Sequence, residues 1–461
     1  MVKNKTDISY TFLRSALTMQ NPFNTTEQVL SWIQAQNRKI LVDVQQIPFA
    51  RMQPAWSFDK DGNLRHASGK FFSIEGIRVR TNYGNVPEWE QPIINQPEIG
   101  YLGIITKEID GVLYFLLQAK VEPGNVNNVQ LSPTLQATKS NYSQVHQGRK
   151  PLYLEYFQNA KPDQVLLDQL QSEQGARFLR KRNRNIIIRV EEEIPVYDNF
   201  VWVTLAQIKA LASIDNIVNM DTRTVISGIP LRLDDGEGMP CVWCASMLTE
   251  EQPYHKLTEI LSWMTSLKCQ YELQVTSIPL SQVGNWRTTD STIEHEFGQY
   301  FKVIAAQVEI NNREVKTWCQ PLIAPLQQGL TAFVVKKING TYHFLVQGKV
   351  ESGNFDIIEM APTVQCITDN YIGKNNQPFV EYVLHARPEQ IKIDTLQSEE
   401  GGRFYQEQNR NMIIEADDSF PIDDIPENYI WVSFQQLMLF LHFNNYLNIQ
   451  SRSLISLIRF C

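Results

Sequence analysis

Trp89-Glu90-Gln91-Pro92 and Trp318-Cys319-Gln320-Pro321 open two stretches that run in register, without a gap, to Tyr142 and Tyr371. Within them Gln118-Ala119-Lys120-Val121-Glu122 meets Gln347-Gly348-Lys349-Val350-Glu351. Pro133-Thr134-Leu135-Gln136 meets Pro362-Thr363-Val364-Gln365. After a short deletion, Gln171-Ser172-Glu173-Gln174-Gly175-Ala176-Arg177-Phe178 meets Gln397-Ser398-Glu399-Glu400-Gly401-Gly402-Arg403-Phe404. Repeats of this length are whole domains rather than solenoid units. Working outward, residues 1–24 are an extension, 25–229 the first copy, 230–257 a linker and 258–461 the second copy. The linker holds Asp234-Asp235-Gly236-Glu237-Gly238 and Pro240, a run of chain breakers.

Composition sets outer limits. Each half of the 461 residues is long enough to bury its own core. A net charge of -8 argues against a nucleic-acid binder that relies on bulk positive charge. The N-terminus leads into no apolar signal region, and no stretch has the length of a membrane span, so a cytoplasmic protein is expected. The six cysteines do not recur between copies, and Cys241-Val242-Trp243-Cys244 lacks the further ligands a zinc site needs. No metal is expected.

Both copies open on an amphipathic helix, around Val29-Leu30-Trp32-Ile33 and Ile260-Leu261-Trp263-Met264. A hairpin follows in each, turning on Asp110-Gly111 and on Asn339-Gly340, the pairs that suit a type I′ turn. The Gln-Ser-Glu run is predicted as a helix ending near Gly175 and Gly401. An apolar strand comes next (Ile186-Ile187-Ile188; Met412-Ile413-Ile414). A last strand then leads into a helix with a capping box, Thr204-x-x-Gln207 or Ser433-x-x-Gln436. The class is α+β with mixed sheets flanked by helices.

The polar residues shared by the copies are the candidate site. Strand alternation puts Gln118, Lys120 and Glu122 on one face, as it does Gln347, Lys349 and Glu351. Thr134 and Gln136, with Thr363 and Gln365, form a second polar row. Glu173 and Arg177, like Glu399 and Arg403, stand at i, i+4 on the predicted helix. That spacing fits a surface ion pair or two groups aimed into one pocket. Arg180-Lys181-Arg182-Asn183-Arg184 is a basic cluster suited to diphosphate. Its counterpart, Gln406 to Arg410, keeps only Arg410 as a cation. Trp89 and Trp318, followed by Gln91 and Gln320, are core residues or base-stacking platforms. Tyr142 and Tyr371 are candidate phenolic donors. No Walker loop, GxGxxG or HExxH is present.

In combination, Gln-Ser-Glu-Gln-Gly-x-Arg-Phe, the following Asn-Arg-Asn (Asn183 to Asn185) and the upstream Ser-Pro-Thr-Leu-Gln-Ala-Thr and Asn-Tyr resemble the nucleotide-hexose 2,3-dehydratases of deoxysugar biosynthesis. The resemblance covers nearly the whole chain, duplication included. It implies two tandem modules of Nudix-like topology, a dTDP-4-keto-6-deoxyhexose substrate and a homodimer. It also implies a downstream 3-ketoreductase that takes the unstable product. Laid on a Nudix box through Gly175, only Glu173 keeps a Glu; Ser172 and Gln169 occupy the other two Glu positions and Asp168 the Arg position. Metal-dependent diphosphate hydrolysis is therefore disfavoured. It remains an alternative beside non-catalytic nucleotide-sugar binding. Dehydration of a 4-keto sugar is redox-neutral, so no cofactor is implied. Expected roles are proton transfer for Glu173 or Tyr142 and charge stabilisation for Lys120. Diphosphate falls to Arg177, Arg182 and Arg184, with Asn183 alongside. Sugar hydroxyls fall to Gln118, Glu122, Thr134 and Gln136, with Trp89 and Gln91 nearby. The second module would repeat the pocket with Trp318, Gln347, Lys349, Glu351, Thr363, Gln365, Tyr371, Glu399, Arg403 and Arg410. Its poorer charge makes the first module the expected catalytic one.

Overall fold

The computed structural model describes residues 7–138, 150–233, 242–248, 253–312, 315–367 and 377–460. Tyr142 and Tyr371 lie outside these. Among the described residues each copy contributes a seven-stranded mixed sheet and most of a smaller five-stranded antiparallel sheet. In copy one the long path of the large sheet runs Val165–Ser172, Arg182–Arg189, Gly100–Ile109, Val112–Val121, Phe200–Thr204. Arg182–Arg189 and Gly100–Ile109 are its parallel pair. Copy two repeats the plan, with Gly329–Ile338 parallel to Gln408–Glu415.

The hairpins turn as predicted. Asp110 and Gly111 have φ of 50° and 76°, and Asn339 and Gly340 have φ of 52° and 86°. Positive φ at both central residues is what the type I′ turn requires. Alternation also holds: Phe115, Leu117, Ala119 and Val121 are buried in the main core, where Phe12 of the helix Ile8–Leu17 meets Phe115 at 6.3 Å. Fully burying a Phe, Leu or Val side chain stabilises the fold by about 1.5–3 kcal/mol. Both capping boxes form, at Thr204 with Gln207 and at Ser433 with Gln436.

The smaller sheets exchange strands. Val42–Gln46 of copy one pairs along Phe301–Ile310 of copy two. Leu273–Ile278 of copy two pairs along Ser73–Thr81 of copy one. The two small sheets share one core, where Phe178 and Phe404 meet edge to face at 5.9 Å. The copies are thus interwoven.

One element differs from expectation. The Gln-Ser-Glu run is a strand, Val165–Ser172 in copy one and Ile391–Ser398 in copy two, followed by a tight turn. Its polar residues hide the period-2 pattern because both strands are gripped from the other copy. Gln171 Nε2 donates to Leu441 O at 2.7 Å, and Gln397 Nε2 to Ala212 O at 2.7 Å. Arg223 donates to Gln397 Oε1 at 2.7 Å and to Ser398 O. Arg452 donates to the Ser172 carbonyl in the mirror arrangement. Nor do Gly175 and Gly401 end a helix. A Cβ on Gly175 would lie 2.2 Å from Asn354 Oδ1, and one on Gly401 2.1 Å from Asn125 Oδ1, so each glycine lets the other copy approach.

Candidate active site

A cavity of about 780 Å³ lies over the polar face of the copy-one large sheet. That is within the usual range for small-molecule sites. Gln118 and Lys120 of strand Val112–Val121 and Glu122 just after it form its floor with Gln136 and Asn183. Trp56, His66, Phe71 and Phe72 of the copy-one small sheet make an aromatic wall. The opposite wall comes from copy two: Thr317 to Gln320, then Glu400, Gly402 and Arg403.

This crossing follows from the interwoven copies. Trp318 Nε1 donates to Gln320 Oε1 at 2.8 Å, and Gln320 Nε2 to Gly402 O at 2.8 Å. The Trp-Gln unit of copy two thereby holds the turn that carries Glu400 and Arg403 into the copy-one cavity. Arg403 lies 4.2 Å above the Phe72 ring, and its Nη2 donates to Gln96 Oε1 at 3.3 Å. By the same exchange Arg177 leaves copy one. It stacks 4.2 Å above Phe301, and its nearest acidic neighbours are Glu407, Glu351 and Glu399 of copy two. Glu173 and Arg177 are therefore not partners in one pocket, because a tight turn rather than a helix separates them.

Inside the cavity Lys120 Nζ donates to Glu122 Oε1 at 3.0 Å, and Gln136 Nε2 donates to the same oxygen at 3.0 Å. Glu122 Oε2 is buried and has no hydrogen-bond partner among the described residues. Glu173 accepts from Asn183 Nδ2 at 2.7 Å. Burial pushes the Glu173 carboxyl above the ordinary carboxylate range, opposed by Lys181, Arg452, the Gln174 backbone and Asn183. The Lys181 ammonium donates to Glu98 O, and burial lowers its pKa. Asp221, on the helix Met220–Ser227, also lines the cavity. Burial raises its pKa strongly, Glu400, Glu173 and Glu122 raise it further, and Lys120 opposes.

Several sequence candidates sit elsewhere. Arg184 forks onto Asp168 at 2.7 and 2.6 Å, and Arg410 grips Asp394 in the same way. Arg182 stacks 3.9 Å from the Phe355 ring. Of the basic residues in the cluster only Lys181 lines the cavity, beside Asn183. Trp89 packs in a small apolar cluster with Leu179 and Val275, and Gln91 tethers the Ala176 carbonyl at 3.1 Å. Thr134 reaches the cavity wall but ties strands together, accepting from Ile105 N at 2.9 Å and donating to Leu116 O. Thr363 does the same between Val334 N and Leu345 O.

The equivalent groups of copy two are set differently. Glu351 accepts from Gln365 at 2.8 Å and Glu399 from Asn409 at 2.6 Å, repeating copy one. However, Gln347 is turned onto the Pro362 carbonyl at 2.7 Å, and Tyr429, in the place of Phe200, donates to the Thr363 carbonyl at 3.2 Å. Glu407 stands where copy one has Lys181 and raises the pKa of Glu399, which burial already raises. Gln450 and Gln174 stand where the first cavity has Asp221 and Glu400. Sequence reasoning missed Asp221 and Glu400 because it sought identities common to both copies, and it reached Lys181 only as one member of the basic cluster. These three are positions at which the copies differ.

The fold and cavity define a duplicated small-molecule enzyme scaffold, and the comparisons give its class. The NDP-hexose 2,3-dehydratase family model matches residues 26–229 and again 257–458, and the chain belongs to that family. Three relatives carry the name dTDP-4-dehydro-6-deoxy-alpha-D-glucopyranose 2,3-dehydratase. The protein from Saccharopolyspora spinosa is 45% identical, with 96% of this chain and 93% of that one covered. The one from Streptomyces violaceoruber is 46% identical over 86% of this chain and 89% of its own. The one from Amycolatopsis orientalis is 41% identical over 96% and 92%.

Proposed function

We propose that this chain eliminates water across C2–C3 of dTDP-4-keto-6-deoxy-D-glucose, giving a dTDP-3,4-diketo-2,6-dideoxyhexose. The observation that carries this reading is the near full-length identity to relatives bearing that name. The cavity chemistry supports it. The C3 proton lies α to the ketone, so a base removes it and charge develops on the C4 oxygen. Glu173, buried and tuned upward, is the base in this reading; Tyr142, the other candidate, lies outside the described residues. Lys120 meets the C4 oxygen. A positioned acid or base contributes roughly 10²–10⁴-fold, and donors at the oxyanion about 10²–10³-fold each.

The diphosphate falls to Arg403 and Lys181 rather than to Arg177, Arg182 and Arg184. Arg403 supplies the forked donor geometry suited to phosphate oxygens. The base falls to the aromatic wall and Trp318. Gln118, Glu122 and Gln136 take sugar hydroxyls. We propose that 25–229 and 258–461 are Nudix-like modules and that turnover belongs to the copy-one cavity. The replacements by Glu407, Gln450 and Gln174 support that assignment. The chain acts as a cytoplasmic homodimer that passes its unstable diketone to a 3-ketoreductase. The test is incubation with dTDP-4-keto-6-deoxyglucose and mass spectrometry for loss of water, with and without EDTA. Loss of water in both is expected. Cleavage of the diphosphate, or activity abolished by EDTA and restored by Mg²⁺, refutes the reading.

A further inference from the structure

Within the cavity the carboxylates are not equivalent, and one has no role in the duplicated frame. Asp221 sits in the first turn of the helix Met220–Ser227, 3% exposed, with Asn219 as the cap. A carboxylate at that place often serves only the helix dipole. Copy two excludes that explanation as sufficient. Its helix Ile449–Ser456 has the same length, is capped by Asn448 in the same way, and carries Gln450 at the corresponding place. The helix therefore forms without an acid there. Burying a carboxyl costs free energy unless it is paired or stays neutral. Among the described residues no hydrogen-bond donor reaches the Asp221 side chain, while its surface opens on the cavity.

We infer that Asp221 is the general acid that protonates the departing C2 hydroxyl. This rests on the dehydratase reading above. The charged groups around Asp221 are Glu400 from copy two, Glu173, Glu122 and Lys120, with Arg223 on its own helix. Burial and the three neighbouring carboxyls favour the neutral acid, against Lys120. Glu173, by contrast, has Lys181 and the Asn183 amide to favour its anion. Burial raises both carboxyls, Asp221 well above its ordinary value and Glu173 against these opposing groups, and two carboxyls whose pKa values are set apart mark an acid and a base. The step balances. Glu173 takes the C3 proton, and the C–H pair enters a C3–C4 enolate. As the C4 carbonyl re-forms, the pair becomes the π bond of a C2=C3 double bond and the C2–O bond breaks. The leaving oxygen takes the Asp221 proton and departs as water. Glu173 ends protonated and Asp221 ionised, and one proton passed between them through water resets the site. No electrons leave the substrate, and the enol tautomerises to the diketone.

The test compares Asp221→Asn and Asp221→Gln with the unaltered protein on two substrates: the 4-keto-6-deoxy sugar nucleotide and its 2-deoxy-2-fluoro analogue. Fluoride leaves without a proton. On the hydroxyl substrate kcat should fall about 10²–10⁴-fold with little change in KM, and the alkaline limb of its pH profile should vanish. On the fluoro substrate both variants should stay within about threefold of the unaltered protein. Affinity for dTDP, measured by calorimetry, should be unchanged. Equal losses on both substrates, unchanged kcat on the hydroxyl substrate, or failure of both variants to fold would overturn the assignment. If the unaltered protein releases no water, the reaction itself is refuted. If it does and the variants match it, only the part given to Asp221 falls.

Discussion

Arg403→Ala and Arg177→Ala separate the crossed architecture from a reading in which each copy builds its own pocket. Spacing within one copy joins Glu173 to Arg177 and makes Arg177 essential. The structure sends Arg403 into the cavity that Glu173 lines and sends Arg177 to Glu351, Glu399 and Glu407. A charged hydrogen bond contributes about 1.5–3 kcal/mol, which is about 10–150-fold in an equilibrium or rate constant. Arg403→Ala should lower kcat/KM by that factor and weaken dTDP binding in parallel. It should also release Gln96 and uncover Phe72. Arg177→Ala should keep kcat/KM within about threefold. It should instead lower the melting temperature, because three buried carboxyls lose their counter-charge. The assay is steady-state turnover followed by water release, with dTDP affinity by calorimetry and thermal unfolding on the same samples. A larger loss of kcat/KM in Arg177→Ala than in Arg403→Ala refutes the crossing.

Two further outcomes follow from the same geometry. Glu173→Gln should abolish most turnover while Glu399→Gln keeps most of it; a dead Glu399→Gln beside a normal Glu173→Gln reverses the assignment of the catalytic copy. Glu359, buried beside Arg452 and Ser172, has its pKa pushed up to about 7, chiefly by burial. A folded pKa above the unfolded one means that the native state holds the proton longer, so this contribution to stability is present below about 4.5 and lost as pH rises through about 7. The melting temperature should fall from pH 5 to pH 8. Glu359→Gln, which installs the residue copy one has at Gln130, should flatten that fall; an unchanged pH slope rejects Glu359 as a source.

Local signals carried much of the architecture. The Asp-Gly and Asn-Gly turns, the alternation through Gln118 to Glu122 and the two capping boxes depend on neighbours a few residues away, and they stand as read. The strand at Gln171-Ser172 does not, because its hydrogen-bonding partners, Leu441 and Arg452, are more than 250 residues away in the other copy. No periodicity in the segment itself records them. The same distance explains Arg177: an i, i+4 spacing suggests a pair, but direction is set by a turn that the other copy holds.

Retention of polar residues in both copies has two causes that a sequence cannot separate. Glu122, Glu173 and Gln136 face the cavity. Gln171, Ser172, Arg223 and their counterparts hold the copies together across their mutual interface. There, an unpaired guanidinium or carbonyl would cost about 1–3 kcal/mol or more, so exchange is resisted as strongly as at a site. Structural constraint acts on both copies alike, since Arg223 and Arg452 perform the same grip. Catalytic constraint acts on one cavity if the other does not turn over. Shared identities therefore report the scaffold at least as much as the chemistry. The sharper functional signal lies where a common scaffold position diverges: Asp221 against Gln450, Lys181 against Glu407, Glu400 against Gln174. All three of the first-named residues line the same cavity, although one of them comes from copy two. Random drift would have no reason to gather them there.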